Sequence, residues 1–225
     1  MLSVIITWRG GDGLREMAVK NTLACIEAQN EGGELIVVTD KYPHRPFNRA
    51  WLNNIGVKRA TTDNLLFVDA DVLFGCEYFK LIEEKAKTHK IFLGYKRLYA
   101  VKGRDNPDPR WVTVSMTSAM GGVWFCNKDV YWEIGGSNES YFGYGGEDND
   151  LKERVVWYLK TDQIPCLNYT LIHQYHNWVD VETKEYKANC ELLRKVRDNP
   201  GKYIKVLRKL ELGKEECPTP CPILQ

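Results

Sequence analysis

Leu65-Leu66-Phe67-Val68-Asp69-Ala70-Asp71 sets two carboxylates directly behind four apolar residues. Four apolar residues in succession read as a strand buried on both faces, as parallel sheets require. Such a strand ends at the sheet edge where open α/β folds bind ligands. Toward the N-terminus, Glu34 to Thr39 and Leu2 to Trp8 are two more apolar, β-branched runs. Between them, Leu14 to Gln29 and Phe47 to Ala60 repeat apolar residues at helical spacing, the latter through Trp51, Leu52, Ile55 and Val57. Toward the C-terminus follow a helix over Glu77 to Thr88 and a fourth strand over Lys90 to Leu98. This βαβαβαβ alternation predicts an α/β fold: a mostly parallel central sheet flanked by helices, with its strand C-termini at one edge.

The second half is less regular. Asp105 to Arg110 is a Pro/Asp loop, Trp111 to Met116 and Gly122 to Cys126 are short strands, and Lys128 to Gly135 is a short helix. Tyr169 to His173 is a late strand. Glu182 to Leu212 reads as one long polar helix, with Lys202, Lys205, Arg208 and Lys209 on a solvated face.

With 225 residues and a formal charge of +1, the chain suits one large domain, or one domain with a small appendage. The balanced charge gives bulk electrostatics no reason to recruit nucleic acid or membrane. No apolar run is long enough to span a bilayer, and Met1 to Trp8 reads as a first strand, not a signal peptide. Seven scattered cysteines read as reduced thiols of a cytoplasmic protein. Cys217 and Cys221 flank a Pro-Thr-Pro in a tail read as flexible.

Four segments carry chemistry. Asp69-Ala70-Asp71 offers oxygen ligands suited to Mg²⁺ or Mn²⁺ shared with a diphosphate; its bland alternative is a solvated turn. His173-Gln174-Tyr175-His176 holds two of the chain's four histidines, which with Asp71 could complete one metal site. Phe47-Asn48-Arg49-Ala50 opens a helix from which Arg49 could reach a phosphate or a base, and Arg9 lies past the first strand on the same edge; either could equally be a surface residue or an ion-pair partner. Tyr141-Phe142-Gly143-Tyr144-Gly145-Gly146-Glu147-Asp148-Asn149-Asp150 runs three glycines into an acidic helix start. Negative charge is favoured there. The glycines suggest a backbone passing close to a ligand, the alternative being an ordinary acidic cap.

These segments, in this order, resemble the metal-dependent inverting glycosyltransferases of the β-1,4-galactosyltransferase and chondroitin-polymerase type. The likeness covers about residues 1–180: Val4 to Arg9, Phe47 to Ala50, Phe67 to Asp71, Gly121-Gly122-Val123, Phe142 to Asp150, and His173 with His176. It implies a GT-A fold, with a nucleotide-binding half over 1–100 and an acceptor and metal half over 101–180, leaving 181–225 as a helix and tail. It implies a UDP-sugar donor, a carbohydrate acceptor and Mn²⁺ or Mg²⁺. By this resemblance Thr7, Trp8, Arg9, Phe47 and Arg49 hold the uridine diphosphate. Asp69 touches ribose or sugar, and Asp71, His173 and His176 ligate the metal. Gly121 and Gly122 admit the donor sugar, Tyr144 forms a floor between the two sugars, Asp148 is the general base and Glu147 binds sugar hydroxyls. With an ordinary aspartate pKa near 3.9, Asp148 is expected to be ionised at neutral pH.

The chain departs from the resembled pattern in places. Thr7-Trp8-Arg9 stands for a usual Pro-Phe-Arg, Gly10-Gly11 follows where a second basic residue is common, and Tyr144 replaces a Trp. Ala119 stands where galactose-specific members carry a Tyr, which implies either room for a 2-acetamido group or a pocket refilled by Met116 or Met120 with galactose preference unchanged. Two other readings remain: a sugar-binding protein that has lost activity, and a phosphatase using Asp69 and Asp71. The phosphatase reading wants its triplet on the first strand; here it follows the third. The basic C-terminal helix leaves a protein or modified nucleic-acid acceptor open, though nothing in the chain demands one.

Overall fold

Strand β1 (Ser3–Trp8) lies between β2 (Glu34–Thr39) and β3 (Asn64–Val68), parallel to both, with Val4 level with Leu35 and Leu66. The chain is a computed structural model that describes residues 1–42, 44–100, 113–114, 120–174, 176, 183–216 and 218. Successive strand residues alternate between two cores. Ile5, Leu65 and Phe67 face helix α2 (Arg49–Arg59) through Trp51, Leu52, Ile55 and Val57. Val4, Ile6, Leu66 and Val68 face the other way, onto Ile26 of helix α1 (Gly13–Glu27) and Tyr78, Phe79 and Ile82 of helix α3 (Tyr78–Ala86). Side chains cap the first two helices: Asp12 accepts from the Arg15 N–H and Asn48 from the Trp51 N–H.

The expected fourth strand is two. β5 (Ile91–Leu93) stays in the central sheet, while β6 (Arg97–Ala100) joins a second sheet with β4 (Val72–Leu73), β7 (Thr113–Val114) and β9 (Thr170–His173). The chain leaves at Gly94, where a Cβ would sit 2.3 Å from the Tyr78 hydroxyl. Strand β8 (Val123–Asn127) inserts antiparallel between β3 and β5, giving the order β2-β1-β3-β8-β5. Four of these five strands therefore run one way, as a mostly parallel sheet should.

Helix α4 (Lys128–Glu133) precedes α5 (Glu147–Leu159). The long helix expected over 182–212 is broken into α6 (Lys184–Asp198) and α7 (Pro200–Leu207). Pro200 cannot donate to the preceding turn, and Asn199 caps the new helix by accepting from the Lys202 N–H. Both helices pack on α5, where Leu192, Val196, Tyr203 and Leu207 close over Tyr141. Lys202, Lys205, Arg208 and Lys209 are exposed, as expected. Among the described residues no helix is long and apolar enough to cross a membrane, and Cys25, Cys76, Cys126, Cys166 and Cys190 are free thiols. Cys217, Cys221, Trp178, Met116 and Ala119 lie outside the described residues.

Candidate active site

Strand pairing gathers the first cluster. β4 runs antiparallel to β9, with Val72 level with His173, and the Gln174 N–H donates to the Asp71 carbonyl at 2.7 Å. Asp71 thereby meets both histidines: His176 Nε2 lies 3.1 Å from its Oδ2 and His173 Nε2 3.5 Å from its Oδ1. One ligand atom from each of Asp71, His173 and His176 falls within 4.8 Å of the others. Burial pushes the Asp71 carboxyl up, but the His176 hydrogen bond and the charges of His173, His176 and Arg49 outweigh it and hold the group below its ordinary value. Asp71 Oδ1 is buried and makes no hydrogen bond. An orphaned carboxylate oxygen, on a group whose two oxygens each face an imidazole nitrogen, fits a divalent cation. The mixed oxygen and nitrogen donors suit Mn²⁺ better than Mg²⁺.

Asp69, at the other end of the same triplet, builds the second cluster. Its Oδ2 accepts from the Gly122 N–H at 2.9 Å, and its own N–H donates to the Gly122 carbonyl at 2.8 Å. Gly122 has φ +77°, and a Cβ there would sit 3.0 Å from the Tyr95 ring. The Tyr95 hydroxyl in turn donates to the Gly121 carbonyl at 2.7 Å. Gly121 keeps space beside the expected base, since a Cβ on it would lie 3.0 Å from Asp148 Oδ2.

Arg49 stands among three carboxylates. Its Nη1 is 3.3 Å from Asp69 Oδ1 and 3.4 Å from Asp148 Oδ2, and its Nε is 3.7 Å from Glu147 Oε1. Asp69 is the largest of several influences that raise the guanidinium pKa. One cation cannot offset three anions. Burial, together with the charges of Glu147 and Asp69, pushes Asp148 up to about 7 against the pull of Arg49. Burial likewise raises Asp69, helped by Asp71. The expectation of a fully ionised Asp148 at neutral pH is thereby corrected: its carboxylate shares a half-dry site with two like charges.

The glycine loop packs closely against its own chain. Gly143, Gly145 and Gly146 have φ of +72°, +86° and +97°, a region that other residues rarely adopt. A Cβ on Gly143 would meet Glu185, one on Gly145 would meet Tyr186, and one on Gly146 would meet Tyr141 and then Asn189. Much of this close approach is to α6. Asn189, buried on α6, donates to the carbonyls of Phe142 at 2.9 Å and Tyr144 at 3.2 Å. At the helix start Glu147 Oε2 is buried without a hydrogen bond. Behind it Asp150 pairs with the fully buried Arg154, which also donates to the carbonyls of Ile134 and Gly136. Tyr144 is exposed and stacks on Tyr186, with ring centroids 6.2 Å apart.

Thr7 and Trp8 end β1 level with Val38 and Thr39, at the sheet edge. Arg9 is paired with the buried Asp40 and lies 5.3 Å above the Phe47 ring. Arg9 and Arg49 both make ion pairs with carboxylates here. Sequence reasoning missed Tyr95, Tyr186 and Asn189, which carry no motif, and Arg15, whose only local signal is the Asp12 cap three residues before it.

The class defined here is the GT-A glycosyltransferase fold. A family model described as the N-terminal domain of galactosyltransferase matches residues 109–176. Human β-1,4-galactosyltransferase 4 is 30% identical over 124 residues, which are 53% of this chain and 32% of that protein. Human β-1,4-galactosyltransferase 6 is 29% identical over 123 residues, 49% of this chain and 27% of that protein. The match thus spans about a third of such relatives. Among solved structures, a mutant Drosophila β-1,4-galactosyltransferase 7 in complex with manganese, UDP-Gal and xylobiose superposes with a TM-score of 0.56 at 18% identity, over 78% of this chain and 71% of that one. Staphylococcus aureus TarS 1-349 in complex with UDP-GlcNAc gives 0.59 at 16% identity, over 92% and 70%.

Proposed function

We propose that this chain transfers a hexose or N-acetylhexosamine from a UDP-sugar to a carbohydrate hydroxyl, with inversion and with a divalent cation. The observation that carries the reading is the Asp69-Ala70-Asp71 turn: one end joins a histidine pair fit for a metal, the other joins Arg49, Gly122 and, through Arg49, Asp148. The similarity to galactosyltransferases, and the UDP-sugars bound in two structural neighbours, support the donor class.

In this reading Asp71, His173 and His176 hold Mn²⁺. When bound, the ion supplies charge neutralisation for a departing diphosphate. Asp148 receives the acceptor hydroxyl proton while the acceptor oxygen bonds to the anomeric carbon and the bond to UDP breaks. One displacement from the opposite face inverts that carbon. A carboxylate with a pKa of about 7 is better matched to this task at neutral pH than an ordinary aspartate. The spare oxygen of Glu147 can accept from a sugar hydroxyl, and the exposed face of Tyr144 offers a sugar a stacking surface. In the same reading Trp8, at the end of β1, and Phe47, beneath Arg9, flank the uridine.

The test is UDP release from a panel of UDP-sugars, with saccharide acceptors, in Mn²⁺ and in excess chelator. Metal-dependent release with one preferred donor is expected. Release unaffected by chelator, or no release from any UDP-sugar, would remove the proposal.

A further inference from the structure

We propose that Thr22, on α1, and Gln174, between the two histidines, are positioning residues for the cation site: one buried hydroxyl and the amide bonded to it hold Asp71 against His173 and His176. The inference rests on the metal-dependent reading above and adds helix α1 to it. Neither residue is a ligand in the cluster of Asp71, His173 and His176.

Three observations carry it. The first is the backbone on either side of Asp71. Thr22 Oγ1 lies 3.1 Å from the Ala70 carbonyl and 3.0 Å from the Val72 carbonyl, so it faces the two residues that flank the ligand. Among the described residues β4 is an edge strand paired with β9. Successive strand carbonyls point to opposite edges, and the Asp71 carbonyl turns toward β9, where the Gln174 N–H meets it at 2.7 Å. The segment is therefore pinned by α1 on one side and by β9 on the other. The second observation is the Gln174 side chain. Its Nε2 donates to Thr22 Oγ1 at 3.2 Å and to the Ala18 carbonyl at 3.0 Å, while its Oε1 accepts from Asn21 Nδ2 at 2.9 Å. A loop of bonds closes: Thr22 to the backbone around Asp71, that backbone to the Gln174 N–H, and the Gln174 side chain back to Thr22. The third is burial, since Thr22 exposes no surface to water.

A hydroxyl has one proton to donate and accepts through its lone pairs. Inside a helix it commonly gives that proton to the carbonyl four residues back. Here that carbonyl is Ala18, 3.1 Å away, but Gln174 already donates to it. The Thr22 proton is thereby left for the Ala70 and Val72 carbonyls, and its lone pairs for Gln174. Asp71 and the two histidines come from segments far apart in the chain, so their spacing depends on this loop of bonds and on the β4–β9 pairing. A cation tolerates little error in that spacing, and groups that orient its ligands are typically worth about 10–100-fold in affinity.

The experiment is titration calorimetry with Mn²⁺ alone on wild type, Thr22→Val, Thr22→Ser, Gln174→Met and the double variant Thr22→Val with Gln174→Met, each also unfolded in urea with excess chelator. Valine keeps the shape of threonine without the hydroxyl, and serine keeps the hydroxyl. Thr22→Val and Gln174→Met are each expected to weaken Mn²⁺ by at least about tenfold, and Thr22→Ser by less than about threefold. The double variant should bind less than about threefold more weakly than the weaker single one, because both changes open the same loop of bonds. Mn²⁺ affinity within about twofold of wild type in Thr22→Val would overturn the proposal, whatever its urea midpoint. Should that variant not fold, the same result in Gln174→Met, whose side chain is half-buried, would overturn it. So would a Thr22→Ser as weak as Thr22→Val, which would assign the loss to packing, and so would fully additive losses. Wild type that takes up no Mn²⁺ would instead remove the metal-dependent reading itself, and the proposal with it.

Discussion

Asp148→Asn is expected to abolish transfer while making the metal-free fold less sensitive to pH. Asp148 sits near Glu147 and Asp69 with only Arg49 to offset them, and its pKa rises from 3.8 to about 7. Unfolded, the same carboxyl titrates near the ordinary value. Between those two values the folded chain holds a proton that the unfolded chain has released, so stability falls as pH rises. The slope for one proton is about 1.4 kcal/mol per pH unit. From about pH 5 to pH 7 that amounts to roughly 2 kcal/mol, allowing for half-titration at the upper end. The side chain is 27% exposed, so this is an upper figure. Asparagine carries no such proton. Urea unfolding of both proteins in excess chelator, at several pH values from about 5 to 8, measures the difference. The variant should gain on wild type by up to about 2 kcal/mol across the range. Its transfer rate should fall by at least about 100-fold, the lower worth of a general base. Parallel stability curves would refute the raised pKa, and a variant keeping more than about a tenth of wild-type kcat would refute the base.

Wild-type kcat/KM for UDP release should drop about tenfold per unit below roughly pH 7, as the acid limb of Asp148 predicts; a limb near pH 4 would contradict the site electrostatics. Asp71→Ala and His176→Ala should each weaken Mn²⁺ binding by at least about tenfold, read by calorimetry without nucleotide; unchanged affinity would exclude the cluster as the metal site. Asn189→Ala leaves two loop carbonyls unpaired, costing about 1–3 kcal/mol. It should lower kcat more than it weakens UDP, and equal losses would deny α6 its part in holding the base. If Ala119 leaves room for a 2-acetamido group, Ala119→Tyr should shift kcat/KM toward UDP-Gal over UDP-GalNAc and UDP-GlcNAc; an unchanged ratio would dismiss that reading.

Much of this protein is legible in local pattern. Short β-branched apolar runs such as Val4-Ile5-Ile6 read as strands buried on both faces, and Trp51, Leu52 and Ile55 recur at the spacing of one helical face. The D-x-D triplet, the histidine pair and the glycine-acidic loop were visible because their residue types are costly anywhere but at a site or a cap. Tertiary structure alone decided how they meet. Which strand lies beside β3 depends on long-range pairing, and the antiparallel β8 between β3 and β5 has no local signature. The split after Leu93 required Tyr78 and Val123 to be packed against Gly94. That the loop glycines face α6, that Arg49 must serve three carboxylates, and that Arg15 reaches His176 are all contacts between residues far apart in the chain. The Asp148 pKa follows from that gathering: desolvation and neighbouring charge act through space, so an aspartate that reads as ordinary in sequence is pushed up to about 7.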